Sequence, residues 1–118
     1  MLSTKEPFMY PYITEVIDYC SLYKIKIAII TNGTLIDEKK LKNLLDNSET
    51  INYIAFSLEG VSPETNDFVR GEGVFEKVMS VVSKIDKINK TEKKNIKLIL
   101  QMNLTSKNYE EVPDMVNI

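Results

Sequence analysis

Four short clusters hold the residues of this chain whose types and spacing suit chemistry: Lys5-Glu6-Pro7-Phe8, Thr31-Asn32-Gly33-Thr34-Leu35, Ser57-Leu58-Glu59-Gly60, and the run from Pro63 through Arg70 to Gly71. They offer carboxylates, which are acceptor-only groups suited to N–H donors, together with hydroxyls, turn-forming amides and one guanidinium fork. The chain has no histidine and Cys20 is its single cysteine. Disulfides within the chain and the usual imidazole or Cys/His metal sites are therefore excluded. Chemistry that needs histidine must come from elsewhere, and no residue is assigned as a metal ligand or as catalytic.

The elements that must position these clusters follow from the apolar pattern. Tyr12, Ile13, Val16, Ile17, Cys20 and Tyr23 recur at helical spacing, which predicts a helix from Pro11 to Tyr23 with Pro11 in its first turn. The β-branched run Ile25 to Ile30 predicts a mostly buried strand ending at the Thr31-Asn32-Gly33 turn. Asp37 is placed to cap a second helix carrying Leu41, Leu44 and Leu45 on one face. Tyr53 to Leu58 is too continuously apolar for a half-exposed strand and predicts a second buried one. Ser62-Pro63-Glu64 opens a short helix ending near Arg70-Gly71. Phe75, Val78, Met79, Val82 and Ile85 predict a longer helix, and Ile96 to Leu104 a third strand. Asn108 with Glu111 has the spacing of a capping box and predicts the start of a last helix. The chain stops at Ile118, about ten residues into that helix, near the shortest useful length, so the sequence reads as cut there.

Strands alternating with helices of this size predict βαβ units and a parallel sheet, an α/β fold built as one domain over residues 1–118. In such folds ligands bind beyond the C-terminal ends of the strands, which is where the polar clusters fall. With 15 Lys plus Arg against 17 Asp plus Glu, and only the Lys84 to Lys97 region enriched in basic residues, nucleic acid is not an expected partner. No apolar run approaches the roughly 20 residues that cross a bilayer, and Met1 to Pro7 lack a signal-peptide layout, so the expectation is no membrane partner and a cytoplasmic location.

The four clusters in this order resemble the radical S-adenosylmethionine (radical SAM) superfamily, in particular its peptide-maturing, sulfatase-activating and haem- or cofactor-building branch. That branch shows Gly-Gly-Glu-Pro before a helix and Thr-Asn-Gly at the next strand end. Ser-Leu-Asp-Gly follows at the strand end after that, ahead of a Pro-Glu-Thr helix carrying Arg-Gly. Each motif alone is weak; the series covers nearly the whole chain and implies part of a (β/α) barrel of the radical SAM type. A flavodoxin-like binding module is the other α/β reading, and it would need a phosphate loop of the GxGxxG or GxxxxGK kind, which the sequence lacks.

The resemblance implies S-adenosylmethionine as a ligand. Glu6 matches the glutamate that receives its amino group, while Ser57 and Arg70 match the pair on its carboxylate. Thr31, Asn32 and Gly33 match the turn along the adenosyl pocket. Glu59 stands at the family's aspartate position, one methylene longer. Each residue also has a plainer reading: Glu6 as a solvated carboxylate, Arg70 as an exposed helix-end ion pair, Asn32-Gly33 as a tight turn with positive φ. Gly60 and Gly71 read as backbone-geometry residues, Met79 and Met102 as core packing, and Cys20 as a core cysteine. Ser3, Thr4 and Lys5 depart from the family, Thr4 and Lys5 standing where it has its glycine pair.

The family's 4Fe-4S cluster is held by a CxxxCxxC loop after the first strand, which the resemblance locates upstream of Met1; a single cysteine on a helix does not replace it. The sequence therefore reads as the central part of a radical SAM domain, without the cluster loop and the C-terminal barrel strands, and inactive alone. Its parent would cleave SAM reductively and use the deoxyadenosyl radical on a peptide or small-molecule substrate. The alternative is a cluster-free relative that binds SAM or a protein, or a remnant without function. Open sheet edges and an apolar face predict a homodimer or marginal stability, and SAM binding is expected to be weak or absent.

Overall fold

The computed structural model describes residues 5–117. Ser3 and Thr4, two of the positions that depart from the family motif, and the terminal Ile118 lie outside the described residues. Strands β1 (Ile27–Thr31), β2 (Ile51–Leu58) and β3 (Lys97–Met102) form one sheet in the order β1-β2-β3. Both pairings are parallel, with Thr31 opposite Phe56, Phe56 opposite Leu100 and Leu58 opposite Met102. The loops leaving the three strands therefore share one edge. The helices are α1 (Ile13–Leu22), α2 (Glu38–Asp46), α3 (Pro63–Arg70), α4 (Val74–Glu92) and the single turn α5 (Val112–Met115), with 3-10 turns at Pro7–Met9 and Tyr109–Glu111. This is the expected α/β architecture, an open parallel sheet with surrounding helices, consistent with part of a (β/α) barrel.

The core lies between one face of the sheet and three helices. Ile13 and Ile17 of α1, Leu41, Leu44 and Leu45 of α2, and Val78, Val81 and Ile85 of α4 are buried at helical spacing against Ile27, Ile29, Ile54, Phe56 and Leu58. Ile51 joins them although it lies three positions, an odd step, from Ile54. The register shifts between Ile27 and Ala28, and that irregularity returns both side chains to the same face. On the other face Ala28, Ile30, Tyr53, Ser57 and Ile99 are half-buried. Cys20 and Met79 pack as partly buried groups on the core, as the sequence suggests.

Local signals set several element starts. Asp37 accepts the Lys40 N–H at 2.9 Å, and Ser62 accepts the Thr65 N–H at 3.4 Å with Pro63 in the first position of α3. Two expectations are corrected. Pro11 precedes α1 in a turn and does not sit inside it; the proline that opens a helical turn is Pro7, whose 3-10 turn Glu6 caps through the Phe8 N–H at 3.2 Å. Asn108 and Glu111 do not form a capping box, because both side chains are engaged with distant segments, and the last helix is reduced to a 3-10 turn followed by α5. Among the described residues, no helix is long and apolar enough to cross a membrane.

Candidate functional site

β1 delivers Thr31 buried at its end, where the chain turns sharply. The Thr31 hydroxyl donates to the Glu6 carboxylate at 2.6 Å and accepts the Gly33 N–H at 3.0 Å. The second Glu6 oxygen accepts the Asn32 N–H at 2.7 Å. The Asn32 side-chain oxygen in turn accepts the Thr34 N–H at 2.9 Å and its hydroxyl at 2.8 Å, a side-chain-closed turn of the kind asparagine favours. Gly33 completes it at φ +76°, and a Cβ there would stand 2.9 Å from Phe56 Cδ1. Glycine is required twice over, by backbone conformation and by space. Lys5, at the glycine-pair position of the resembled motif, has φ +57°, so the backbone keeps a glycine-like conformation beneath a lysine side chain.

β2 delivers Ser57 on the half-buried face and Glu59 just beyond the strand end. Arg70 closes α3, and its Nη2 donates to Glu59 Oε1 at 2.7 Å. This ion pair is the plainer reading of Arg70, but it is not an exposed one: the side chains keep 25% and 11% of their surface. Arg70 Nε is buried without a hydrogen-bond partner among the described residues. The guanidinium is thus anchored on one side and unsaturated on another, in a fold where unpaired buried donors cost free energy.

Lys5, Glu6, Ile30, Thr31, Asn32, Ser57 and Arg70 line one cavity of about 290 Å³. Asn32 and Arg70 also line a neighbouring cavity of about 520 Å³ with Glu59, Thr34 and Lys77. The site residues named from sequence, Glu6, Thr31, Asn32, Ser57, Glu59 and Arg70, are therefore brought to two cavities that meet at Asn32 and Arg70. Gly33 lines neither: it borders a third space between α2 and α4 with Lys40, Lys77 and Lys84, which adjoins the larger cavity at Thr34 and Lys77.

Four polar residues hold this edge together, two that the sequence left unassigned, Asn66 and Asp67, and two, Asn108 and Glu111, that it read as a capping box. Asn66, fully buried in α3, accepts the Glu59 N–H at 2.7 Å. Asn108, also buried, donates to the Glu59 carbonyl at 3.0 Å. Glu111 accepts the Val61 N–H at 2.8 Å and the Thr65 hydroxyl. Asp67 accepts from Gly73 N and Phe75 N, both at 2.8 Å, fixing the turn between α3 and α4. The Phe75 N–H is the main reason the Asp67 carboxyl titrates below the usual aspartate range, with burial opposing and Asn66 and Gly73 assisting. The partners of Asn108 and Glu111 lie 49 and 50 positions away, and pairing at that range leaves no periodic signal in the sequence.

Two groups implied by the resemblance test differently. A carboxylate has about four lone-pair directions. Glu6 receives three donors, from Phe8, Thr31 and Asn32, leaving room for a further one. With the Arg70 guanidinium lining the same cavity, the residues fit a ligand bearing an ammonium and a carboxylate. They do not fit an iron-sulfur cluster. Cys20 is the single cysteine of the chain and lies half-buried on α1, and among the described residues no three Cys, Asp or Glu side chains gather as a metal site.

Comparison with known proteins gives the family. The family model described as the radical SAM superfamily matches residues 1–117. The antilisterial bacteriocin subtilosin biosynthesis protein AlbA of Bacillus subtilis is 30% identical over 93% of this chain and 23% of its own length. The Fe-coproporphyrin III synthase of Methanosarcina barkeri is 28% identical over 100% of this chain and 28% of its own. An uncharacterized protein of Archaeoglobus fulgidus is 27% identical over 80% and 21%. The chain spans about a quarter of the length of these curated relatives.

Proposed function

The chain belongs to the radical SAM superfamily, and from that premise we propose that it forms the part of a radical SAM domain that holds the amino-acid end of SAM, with cluster ligands supplied from outside these 118 residues. One observation carries the reading: a carboxylate, Glu6, and a guanidinium, Arg70, line the same cavity together with Ser57, Thr31 and Asn32. That pair of charges complements the ammonium and carboxylate of a single amino-acid head group. Bound SAM would supply the carbon–sulfur bond that the family cleaves. This chain's share is to bind and orient: Glu6 receives the amino group, Arg70 and Ser57 the carboxylate, and Thr31 and Asn32 border the adenosyl end in a turn that Gly33 closes from behind, with Glu59 steadying Arg70.

In this reading the chain alone is not catalytic, and the substrate is chosen elsewhere. One relative is named for making a bacteriocin and another for making an iron porphyrin, so peptide and small-molecule substrates are both carried as classes for the complete parent enzyme. A second reading, a cluster-free relative that binds SAM or a partner protein without catalysis, is favoured by the lone Cys20 and by Lys5 at positive φ where glycine fits best.

The test is a chemical-shift titration of the labelled protein with SAM. The expected result is weak binding that shifts the amides of Asn32, Gly33, Ser57 and Arg70 and is lost in Arg70→Ala. Shifts confined to other regions, or an unchanged response in Arg70→Ala, would remove the assignment.

A further inference from the structure

Glu59 is held at three points by two segments far apart in sequence. Its N–H is accepted by Asn66 Oδ1 at 2.7 Å and its carbonyl receives Asn108 Nδ2 at 3.0 Å. Its carboxylate receives Arg70 Nη2 at 2.7 Å. Asn66 and Arg70 lie one turn apart on α3 and so present to the same side of that helix. Asn108 comes from the loop after β3 and is itself fixed: Nδ2 also donates to the Asn103 carbonyl at 2.8 Å, and Oδ1 accepts the Thr105 N–H at 2.8 Å.

Both asparagines are almost wholly buried, at 0% and 2% exposure. Burying a primary amide is unfavourable unless its donors and acceptors are met, so each amide has essentially one orientation available. Neither residue lines the cavity of Glu6, Ser57 and Arg70. Their effect on that cavity runs through Glu59: with its peptide clamped on both sides, the carboxylate has a fixed origin, and the long Arg70 side chain is held by its far end. An arginine left free would sample many rotamers, and ordering it on binding would cost affinity.

We infer that Asn108, with Asn66 as its counterpart, is a positioning residue that orients Arg70 for the carboxylate of the bound amino-acid head group. This rests on the reading of Arg70 given above. It predicts an effect on recognition of the amino-acid end and none on recognition of the nucleoside end. The two ends are separated by comparing SAM with 5′-methylthioadenosine, which lacks the amino-acid portion.

The experiment measures the affinity of the full chain for both ligands by chemical-shift titration, in the wild type and in Asn108→Ser, Arg70→Ala and Asn89→Ala. Serine is neutral and too short to reach both carbonyls. Asn89 is a matched control: its amide brackets Ile96, donating to the carbonyl at 2.8 Å and accepting the N–H at 3.2 Å, at the opposite end of β3. The expected result is that the preference for SAM over methylthioadenosine falls by roughly tenfold in Asn108→Ser, toward its value in Arg70→Ala. In Asn89→Ala it should persist despite lower stability. A preference lost in Arg70→Ala yet intact in Asn108→Ser would overturn the inference and leave the site standing. Equal loss in Asn89→Ala would reduce the effect to general destabilisation and also overturn it. A wild type that shows no preference for SAM would sink the site reading and the inference with it. Should Asn108→Ser fail to fold, Asn66→Ser, which removes the acceptor for the Glu59 N–H, reads the same ratio.

Discussion

The Thr31 hydroxyl links Glu6 to the first strand end: it donates to the Glu6 carboxylate at 2.6 Å while accepting the Gly33 N–H at 3.0 Å. Glu6 is therefore part of the fold as well as part of a cavity. Glu6→Ala removes the acceptor for Phe8 N, Thr31 Oγ1 and Asn32 N together. The expected loss is about 2 kcal/mol of unfolding free energy, in the range for hydrogen bonds to a charged group, with Glu6→Gln losing roughly half of that. Urea unfolding of the three proteins checks the order; equal stability of wild type and Glu6→Ala would contradict it.

Gly33 and Gly73 separate strain from space. Both have positive φ, +76° and +79°, but a Cβ at Gly33 meets Phe56 at 2.9 Å and Val78 at 3.3 Å, whereas one at Gly73 meets nothing within 4 Å. Gly73→Ala should cost about 1 kcal/mol, the penalty of a left-handed backbone alone. Gly33→Ala should cost about 2–4 kcal/mol, because overpacking adds to the same penalty. Similar values for the two would mean that the Phe56 contact yields easily.

The strand ends were legible in the sequence because the signals are local. Asp37 and Ser62 act within their own first turns, and Asn32 closes its turn on Thr34. The tertiary wiring was not legible. Asn108 to Glu59 spans 49 positions and Glu111 to Val61 spans 50, and in both cases a short-range pattern, the apparent capping box, pointed to the wrong partner. Arg70 was singled out from sequence, yet its anchoring to Glu59 emerges only when α3 folds back over the end of β2.

Asp67 gives the fold a defined acid dependence. Its carboxyl is held below the ordinary aspartate value of about 3.9, first by the Phe75 N–H. The folded state thus favours the charged form, and the stability this contributes is complete above the unfolded-state value and lost as pH falls through the folded-state value. Asp67→Asn should lower the melting temperature by a few degrees at pH 7, with the gap to wild type closing below pH 4. A gap that stays constant down to pH 3 would show that Asp67 does not carry this dependence.

The edges of the sheet bear on association. Among the described residues β1 and β3 each pair with β2 alone, leaving the outer backbone groups of both strands without a ladder. The face opposite the helices carries Ala28, Ile30, Tyr53 and Ile99, all half-buried. Lys97 and Gln101 are exposed on β3 in the same alternation as Ile99, a polar edge of the kind that discourages open-ended pairing. A closed dimer is therefore expected in preference to larger aggregates. Sedimentation velocity at increasing concentration should show a monomer–dimer equilibrium, and Ile99→Lys, which places a charge on that face midway along the edge strand β3, should shift it to monomer. A wild-type chain that remains monomeric at all concentrations and melts cooperatively at high temperature would show that the three-strand sheet is self-sufficient.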